Sequence, residues 1–327
     1  MSIYINLRVY ILMCGQSMRV GVVGLGAMGQ NHARIYSTIP GCELVAVADI
    51  DDTLTRSVSN KYGAEPFNDY KLMLKKDLDA VSIAVPTSLH YEVASFFLEN
   101  GIHCLVEKPI TKTLEEAYKL VELAKKKNRK LMVGHIERYN PAVKKMKEII
   151  DSGMLGKILI INTRRVGPFT PRVVDVGILI DLATHDIDVV RYLYGKEPSN
   201  IYSKFGSIKH PHEDYAVLLL DFGESTASIE VNWFTPHKVR TAVVTGTDGI
   251  AYMDYMEQSI VVYNSEWKME PKVEKEEPLK AEIEHFISCI KDDKEPLTSG
   301  EEGLKNLEVA YRSLVGGKSR EFDTLRG

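Results

Sequence analysis

MRVGVVGLGAMGQNHAR, residues 18–34, decides the fold. Arg19 to Val23 read as a short, largely buried strand, rich in β-branched valine and followed at once by glycine. Gly24-Leu25-Gly26-Ala27-Met28-Gly29 then fits G-x-G-x-x-G, and a helical stretch opens behind it. Gly24 permits the tight turn, Gly26 lets backbone approach a pyrophosphate, and Gly29 lets the helix pack closely on the strand. Free N–H groups at the helix start face the phosphate charge. Glycine-rich turns are common, so context carries the reading. A second apolar strand, Glu43 to Ala48, ends in Asp49, twenty residues past the last glycine, where a carboxylate holds ribose hydroxyls. The whole reads as a dinucleotide site, and Asp49 favours NAD because a 2′-phosphate would meet its charge. No arginine follows immediately, although Arg56 lies within reach.

Outward from this loop, residues 18–137 alternate strands and helices, which predicts a doubly wound parallel sheet covered on both faces. Strands are expected at 80–85, 103–107 and 130–136, a short strand or turn at 64–69, and helices at 51–62, 91–101 and 111–127. Loops at strand C-termini bind ligands in such sheets. Three carry suggestive residues: Pro86 to His90, Glu107 to Pro109, and Gly134 to Asn140. The basic run Lys125 to Lys130 reads as cations at a helix C-terminus rather than a nucleic-acid patch.

From residue 138 the rhythm changes, and 138–327 reads as one second α/β domain. Pro141 starts a helix, a strand covers 157–165, and a long helix runs from Val176 to Tyr194. Antiparallel strands follow near 200–209, 214–222, 225–234, 238–245, 250–256 and 259–264, parted by turns such as Thr247-Asp248-Gly249. Lys268 to Lys280 reads as an exposed loop, and helices at 279–292 and 301–316 close the chain.

The chain's 327 residues suffice for two cores, and its net charge of −4 argues against attraction to nucleic acid or anionic membrane. Cys14, Cys42, Cys104 and Cys289 form no C-x-x-C pair, which suits a reducing cytoplasm and argues against a zinc site. No apolar run approaches the ~20 residues of a membrane helix. MSIYINLRVYILMCGQS, residues 1–17, carries Arg8 inside its apolar run and makes a poor signal peptide. It reads as a dispensable extension with Met18 as the true start; an edge strand or oligomer contact is the alternative.

Chemistry concentrates in two places. Asp181 and His185, four apart in VGILIDLATHDIDVVRYL, share one helix face in an apolar setting. Three readings stay open: a catalytic pair, a structural hydrogen-bonded pair, or a metal pair. The last lacks a third ligand, because Asp186 and Asp188 point to other faces. Lys108 ends a strand at the cofactor rim; a cis bond to Pro109 would aim it inward. Arg164 and Arg165 are either surface charge or a fork for substrate phosphates.

Together these segments resemble the family of glucose-fructose oxidoreductase, inositol 2-dehydrogenase and rhizopine-catabolism proteins. GVVGLGAMGQNHAR, VPTSLHYEVA, VEKPITKTLEEA, GHIERYNPAV and DLATHDIDVVRYL stand in family order over nearly the whole chain after Met18. The resemblance implies an N-terminal Rossmann domain (18–137) that binds NAD. It implies a C-terminal domain (138–327) with an open, mostly antiparallel sheet that binds substrate and forms homodimers or tetramers. It makes Gly24, Leu25, Gly26, Ala27, Met28 and Gly29 the pyrophosphate loop and Asp49 the adenosine-ribose ligand. It puts Thr87 and His90 by the cofactor, Glu107 at the nicotinamide ribose, and Arg138 near cofactor or active site. Lys108, Asp181 and His185 match the catalytic Lys, Asp and His, which would also touch substrate; no metal is implied.

RRVGPFTPRVVDVGILIDLATHDID is similar to the substrate side of nucleotide-sugar dehydrogenases of this family, especially those oxidising the 3-hydroxyl of UDP-N-acetylglucosamine. Asp175-Val176-Gly177 stands where many members have a glycine run. The expected reaction is oxidation of that hydroxyl to a ketone, with Arg165, or else Arg172, holding the diphosphate. His185 takes the proton, Lys108 stabilises the alkoxide, and Asp181 orients; Lys108 and His185 can exchange roles. The alternatives are a dehydrogenase of a free polyol or aldose, and a non-catalytic NAD-binding regulator.

Overall fold

Consecutive buried residues mark the first strand as interior. Val20, Val22 and Val23 are at most 3% exposed, which a strand reaches only when both sheet faces are covered. In a computed structural model that describes residues 17–169 and 176–318, this strand is β1 (Met18–Val23). It lies in a six-stranded, all-parallel sheet with β2 (Cys42–Ala48), β3 (Glu65–Phe67), β4 (Ala80–Ile83), β5 (His103–Glu107) and β6 (Leu131–Gly134). The order is β3-β2-β1-β4-β5-β6. Its direction reverses between β1 and β4, which opens a crevice at their C-terminal ends. The crossovers carry α1 (Ala27–Tyr36), α2 (Asp52–Tyr62), α3 (His90–Glu99) and α4 (Leu114–Lys127). Their ends follow local chemistry. Thr113 and Glu116 form a capping box, so α4 starts later than the expected Thr111. Lys125, Lys126 and Lys127 fill its last turn before a left-handed Asn128.

The chain divides into two compact units: Met1–Gly134 with Leu279–Leu304, and His135–Pro278 with Lys305–Gly327. The expected single block from 138 to 327 is corrected here. Helix α7 (Pro278–Lys291) and the start of α8 (Gly300–Lys318) belong with the first sheet. Val133 N donates to Thr298 O at 2.8 Å, so the returning chain covers the open edge of β6. The expected extension lies, apart from Ser17, outside the described residues.

The second unit holds an eight-stranded, mostly antiparallel sheet. Its strands are β7 (Ile158–Pro168), β8 (Asn200–Gly206), β9 (Tyr215–Asp221), β10 (Thr226–Asn232), β11 (Phe234–Gly246), β12 (Ile250–Asp254), β13 (Ser259–Tyr263) and β14 (Lys268–Met269). They run in the order β14-β13-β12-β11-β7-β10-β9-β8, and only β7 and β10 pair in parallel. β14 falls where the sequence suggested loop alone. The pleat sorts residues strictly: Ala216, Leu218 and Leu220 of β9 are buried while Val217 and Leu219 are exposed. Helices α5 (Pro141–Asp151) and α6 (Thr184–Tyr194) cover the buried face.

Candidate active site

The glycine loop is shaped as its spacing requires. Gly24 has φ +84°, and a Cβ there would sit 2.6 Å from the Ala84 backbone. A Cβ on Gly29 would collide with the Gly24 carbonyl oxygen, whereas one on Gly26 would meet nothing within 4 Å. The loop is therefore packed from beneath and open above. Gly26 caps α1 with no side-chain bond, and no acidic residue occupies the first turn, which leaves the N–H groups around Ala27 and Met28 for an anion. Leu25 is buried, and its N donates to Asp49 Oδ2 at 2.6 Å. Asp49 Oδ1 accepts from Asp51 N at 3.0 Å, so the carboxylate is fixed beside the loop. Arg56, the cation that could serve a 2′-phosphate, pairs with Asp52 at 2.7 Å. These residues fit NAD.

Glu107 ends β5 and Lys108 follows it, both half-buried, and the Lys108–Pro109 bond is cis. Burial alone would raise Glu107's carboxyl. The His32 hydrogen bond, with the charge of Lys108, overcomes this and holds it below the ordinary carboxylate range. Thr87 lies half-buried in a 3₁₀ turn, Thr87–Leu89, after β4. His90 is 1% exposed, with Nδ1 2.8 Å from Pro109 O and Nε2 3.0 Å from Val85 O. Both nitrogens are engaged by backbone, so it ties two loops of the sheet edge together.

In the second unit Asp181 lies in a π-helical turn, Leu179–Ala183, that leads straight into α6, where His185 is the second residue. Both are half-buried, while Ala183 and Thr184 between them are buried. The neighbouring carboxylates are committed elsewhere. Arg138, in the 3₁₀ turn Ile136–Tyr139, holds Asp188 with two bonds, Nε at 2.8 Å and Nη2 at 2.7 Å. Arg165 donates from Nε to Asp186 at 2.6 Å and from Nη1 to Glu137 at 2.8 Å, and lies over the Tyr255 ring. Among the described residues, no group of three acidic, histidine or cysteine side chains is placed to hold a metal ion.

These contacts bear on two expectations. Arg138 holds Asp188, three residues past His185 on α6, inside the second unit. Arg165 is 2% exposed, with Nε and Nη1 held by Asp186 and Glu137 and only Nη2 without a hydrogen bond, which argues against a diphosphate ligand. Arg164 points to the other sheet face and pairs with Glu230 at 3.0 Å. Arg172 lies outside the described residues. Two other residues went unread. Arg240 pairs across β11 and β7 with Arg165, on the covered face. Burial and then Arg165's charge lower its pKa, against the pull of Glu137, Asp186 and Asp181. His32 bonds Glu107 at 3.0 Å, and its place three residues past Gly29, on the strand-facing side of α1, was the available signal.

The sequence profile of the oxidoreductase family with NAD-binding Rossmann fold matches residues 18–135. The GFO/IDH/MocA C-terminal domain matches residues 143–252. The chain belongs to this family. Its cofactor is NAD, and its class is oxidoreductase. It is 28% identical to UDP-N-acetylglucosamine 3-dehydrogenase of Acidithiobacillus ferrooxidans, over 91% of this chain and 96% of that one. A solved structure of that enzyme superimposes with a TM-score of 0.85, over 91% of this chain and 97% of that one, at 29% identity. The chain is also 29% identical to scyllo-inositol 2-dehydrogenase (NAD(+)) of Bacillus subtilis, over 94% of this chain and 97% of the relative. Among the described residues, no helix is long and apolar enough to cross a membrane.

Proposed function

We propose that this protein oxidises a secondary alcohol of a sugar, and that the sugar is UDP-N-acetylglucosamine, oxidised at its 3-hydroxyl. The observation that carries the reading is the contrast along one helix. Asp186 and Asp188 are buried and neutralised by arginine, whereas Asp181 and His185, on a common face, remain half-buried. The similarity to the Acidithiobacillus enzyme along nearly the whole chain supports the nucleotide sugar.

In this reading His185 accepts the hydroxyl proton, Asp181 orients it or a neighbouring hydroxyl, and Lys108 stabilises the developing alkoxide. Lys108 and His185 can exchange these roles. NAD, when bound, supplies the hydride acceptor; the glycine loop, Asp49, Thr87 and Glu107 hold it. Of the arginines on the covered face, Arg240 replaces Arg165 as the candidate for the substrate's negative charge. We also propose that a second copy covers the outer sheet face, where Tyr202, Val217, Leu219, Tyr252 and Tyr263 are exposed. The cytoplasm is the proposed compartment, suited to free thiols at Cys42, Cys104 and Cys289.

A second reading, a free cyclic polyol as substrate, gains from the loss of Arg165 as a diphosphate ligand and from the similarity to the inositol enzyme. Incubation with NAD and a panel of UDP sugars, inositol and glucose, followed by mass spectrometry, decides. Loss of two hydrogens from UDP-N-acetylglucosamine alone, with NADH formed, supports the proposal. Loss from inositol alone moves the assignment to the polyol. NAD binding without turnover of any sugar favours the regulator.

A further inference from the structure

A chain of hydrogen bonds runs through the core of the first unit and ends on Glu107. Tyr36 and His32 lie one turn apart on α1, and both meet Ser82 of β4. Tyr36 Oη is 2.8 Å from Ser82 Oγ, Ser82 Oγ is 3.0 Å from His32 Nδ1, and His32 Nε2 is 3.0 Å from Glu107 Oε1. Tyr36, Ser82 and His32 are at most 1% exposed.

One arrangement of protons satisfies every member. Ionised Glu107 only accepts, so His32 donates from Nε2. A neutral ring then accepts at Nδ1, so Ser82 gives its proton to His32 and receives that of Tyr36. Burial keeps the Tyr36 phenol protonated, which supplies the first donor. With His32 protonated instead, Ser82 accepts from Nδ1 and turns its own proton to Tyr36 Oη. The Tyr36 proton, or the Ser82 proton if Ser82 accepts from both neighbours, then has no acceptor in this chain of contacts, at the penalty of a buried donor left unmet.

We propose that His32 is a positioning residue, which, backed by Ser82 and Tyr36, fixes Glu107 as an ionised carboxylate in one orientation beside Lys108. The inference rests on the proposed place of Glu107 at the nicotinamide ribose. His32 projects from the helix whose first turn forms the pyrophosphate loop. One side chain thus ties the loop that takes the phosphates to the turn after β5. The second carboxylate oxygen is held as well: Lys108 N donates to Oε2 at 3.3 Å. Gly134 of β6 packs on this oxygen and brings no charge; a Cβ there would lie 3.1 Å from it. The charged and titratable groups facing Glu107 are His32 from α1, Lys108 beyond β5 and His90 from α3. Those facing Tyr36 are Cys42, Cys104 and Glu282.

Calorimetric titration of NAD into the full chain, across pH and without any sugar, tests this. Removal of His32 leaves burial less opposed, so Glu107 takes up a proton at higher pH and the acid limb of NAD affinity moves upward. For His32→Ala the expected result is NAD affinity lowered roughly tenfold or more at neutral pH, together with that shift. His32→Gln, whose amide can donate to Glu107, retains most of the affinity and a limb near the wild type's. Ser82→Ala falls between and keeps the inference testable where His32→Ala does not fold. Wild-type affinity and an unmoved limb in His32→Ala, or in Ser82→Ala alone, overturn it, whatever happens to the melting temperature. Equal losses in His32→Ala and His32→Gln overturn it too. Inert sugars alongside the expected NAD shifts defeat the substrate proposal and leave this one standing, whereas a wild type that binds no NAD defeats both.

Discussion

Replacing Arg165 by methionine separates a structural arginine from a substrate-binding one. The guanidinium is 2% exposed and faces Asp186, 0% exposed, and Glu137, 7% exposed. Burial opposes its charge, but the two carboxylates outweigh this and hold it cationic beyond the ordinary range. Methionine keeps the stem's volume and strands two buried acids. Breaking a buried pair from one side costs about 3–5 kcal/mol. In a unit of this size that lowers the melting temperature by roughly 6–20 °C. Adding Asp186→Asn removes one stranded charge, so the double variant should recover about half of the loss. The sign of the pH dependence follows from Asp186. Burial already pushes its carboxyl up, and Arg165 is what pulls it back. Without Arg165 the folded pKa stands further above the unfolded value of about 3.9. The deficit then grows as pH rises through that interval and shrinks from about pH 8 towards about pH 5. Thermal melts of wild type, single and double variants at these two pH values provide the assay. An Arg165→Met protein that melts with the wild type yet loses affinity for a UDP sugar would refute the reasoning.

Two further outcomes follow from the first unit. Gly29→Ala drives a Cβ into the Gly24 carbonyl, so both stability and NAD binding should fall. Gly26→Ala meets nothing within 4 Å and should keep its melting temperature while NAD affinity drops severalfold or more; calorimetry beside thermal melts distinguishes the two. His103 gives a pH window. Burial, then the charges of Arg129 and Lys130, hold its imidazole down to about 4, and Nδ1 accepts from Lys130 N at 2.8 Å. The unfolded chain binds that proton near pH ~6.5. The stabilisation is therefore complete above that pH and is lost as pH falls towards about 4. His103→Asn, which keeps an acceptor but does not titrate, should flatten this part of the urea-midpoint profile relative to wild type.

The first sheet was legible because each of its signals is local. Glycine spacing and valine runs act within a few residues, and a parallel sheet follows from alternation alone. The antiparallel strands were equally plain from turns and pleat alternation. Three residues that the sequence did not explain share one property: their partners are distant. Arg165 meets Asp186 across 21 positions, Arg138 meets Asp188 across 50, and His32 meets Glu107 across 75. A sequence displays a charge but not the opposite charge that consumes it, so a buried, paired arginine reads like one free to bind a ligand. Nor does the string ILIDLATH announce the π-helical turn at Leu179–Ala183, because one wider turn leaves the apolar pattern intact. The return of Leu279–Leu304 to the first unit was hidden for a related reason. An amphipathic helix states which face it buries, not which sheet receives it.

The same long-range pairs fix the orientation of a carboxylate-rich helix. Four titratable side chains, Asp181, His185, Asp186 and Asp188, occupy little more than two turns. Asp186 and Asp188 lie fully inside, and each unpaired carboxylate there would penalise folding heavily. Guanidinium groups from β7 and from the turn at Ile136–Tyr139 neutralise them, and in doing so clamp α6 at two points on its buried side. A helix clamped in this way cannot rotate without breaking a buried pair. The orientation of the half-buried face, with Asp181 and His185 on it, is therefore set by side chains that never need to touch a substrate. Loss of Arg138 or Arg165 should consequently weaken turnover through the helix, in step with stability. Loss of His185 should stop turnover and leave the melt unchanged to within about 1 kcal/mol.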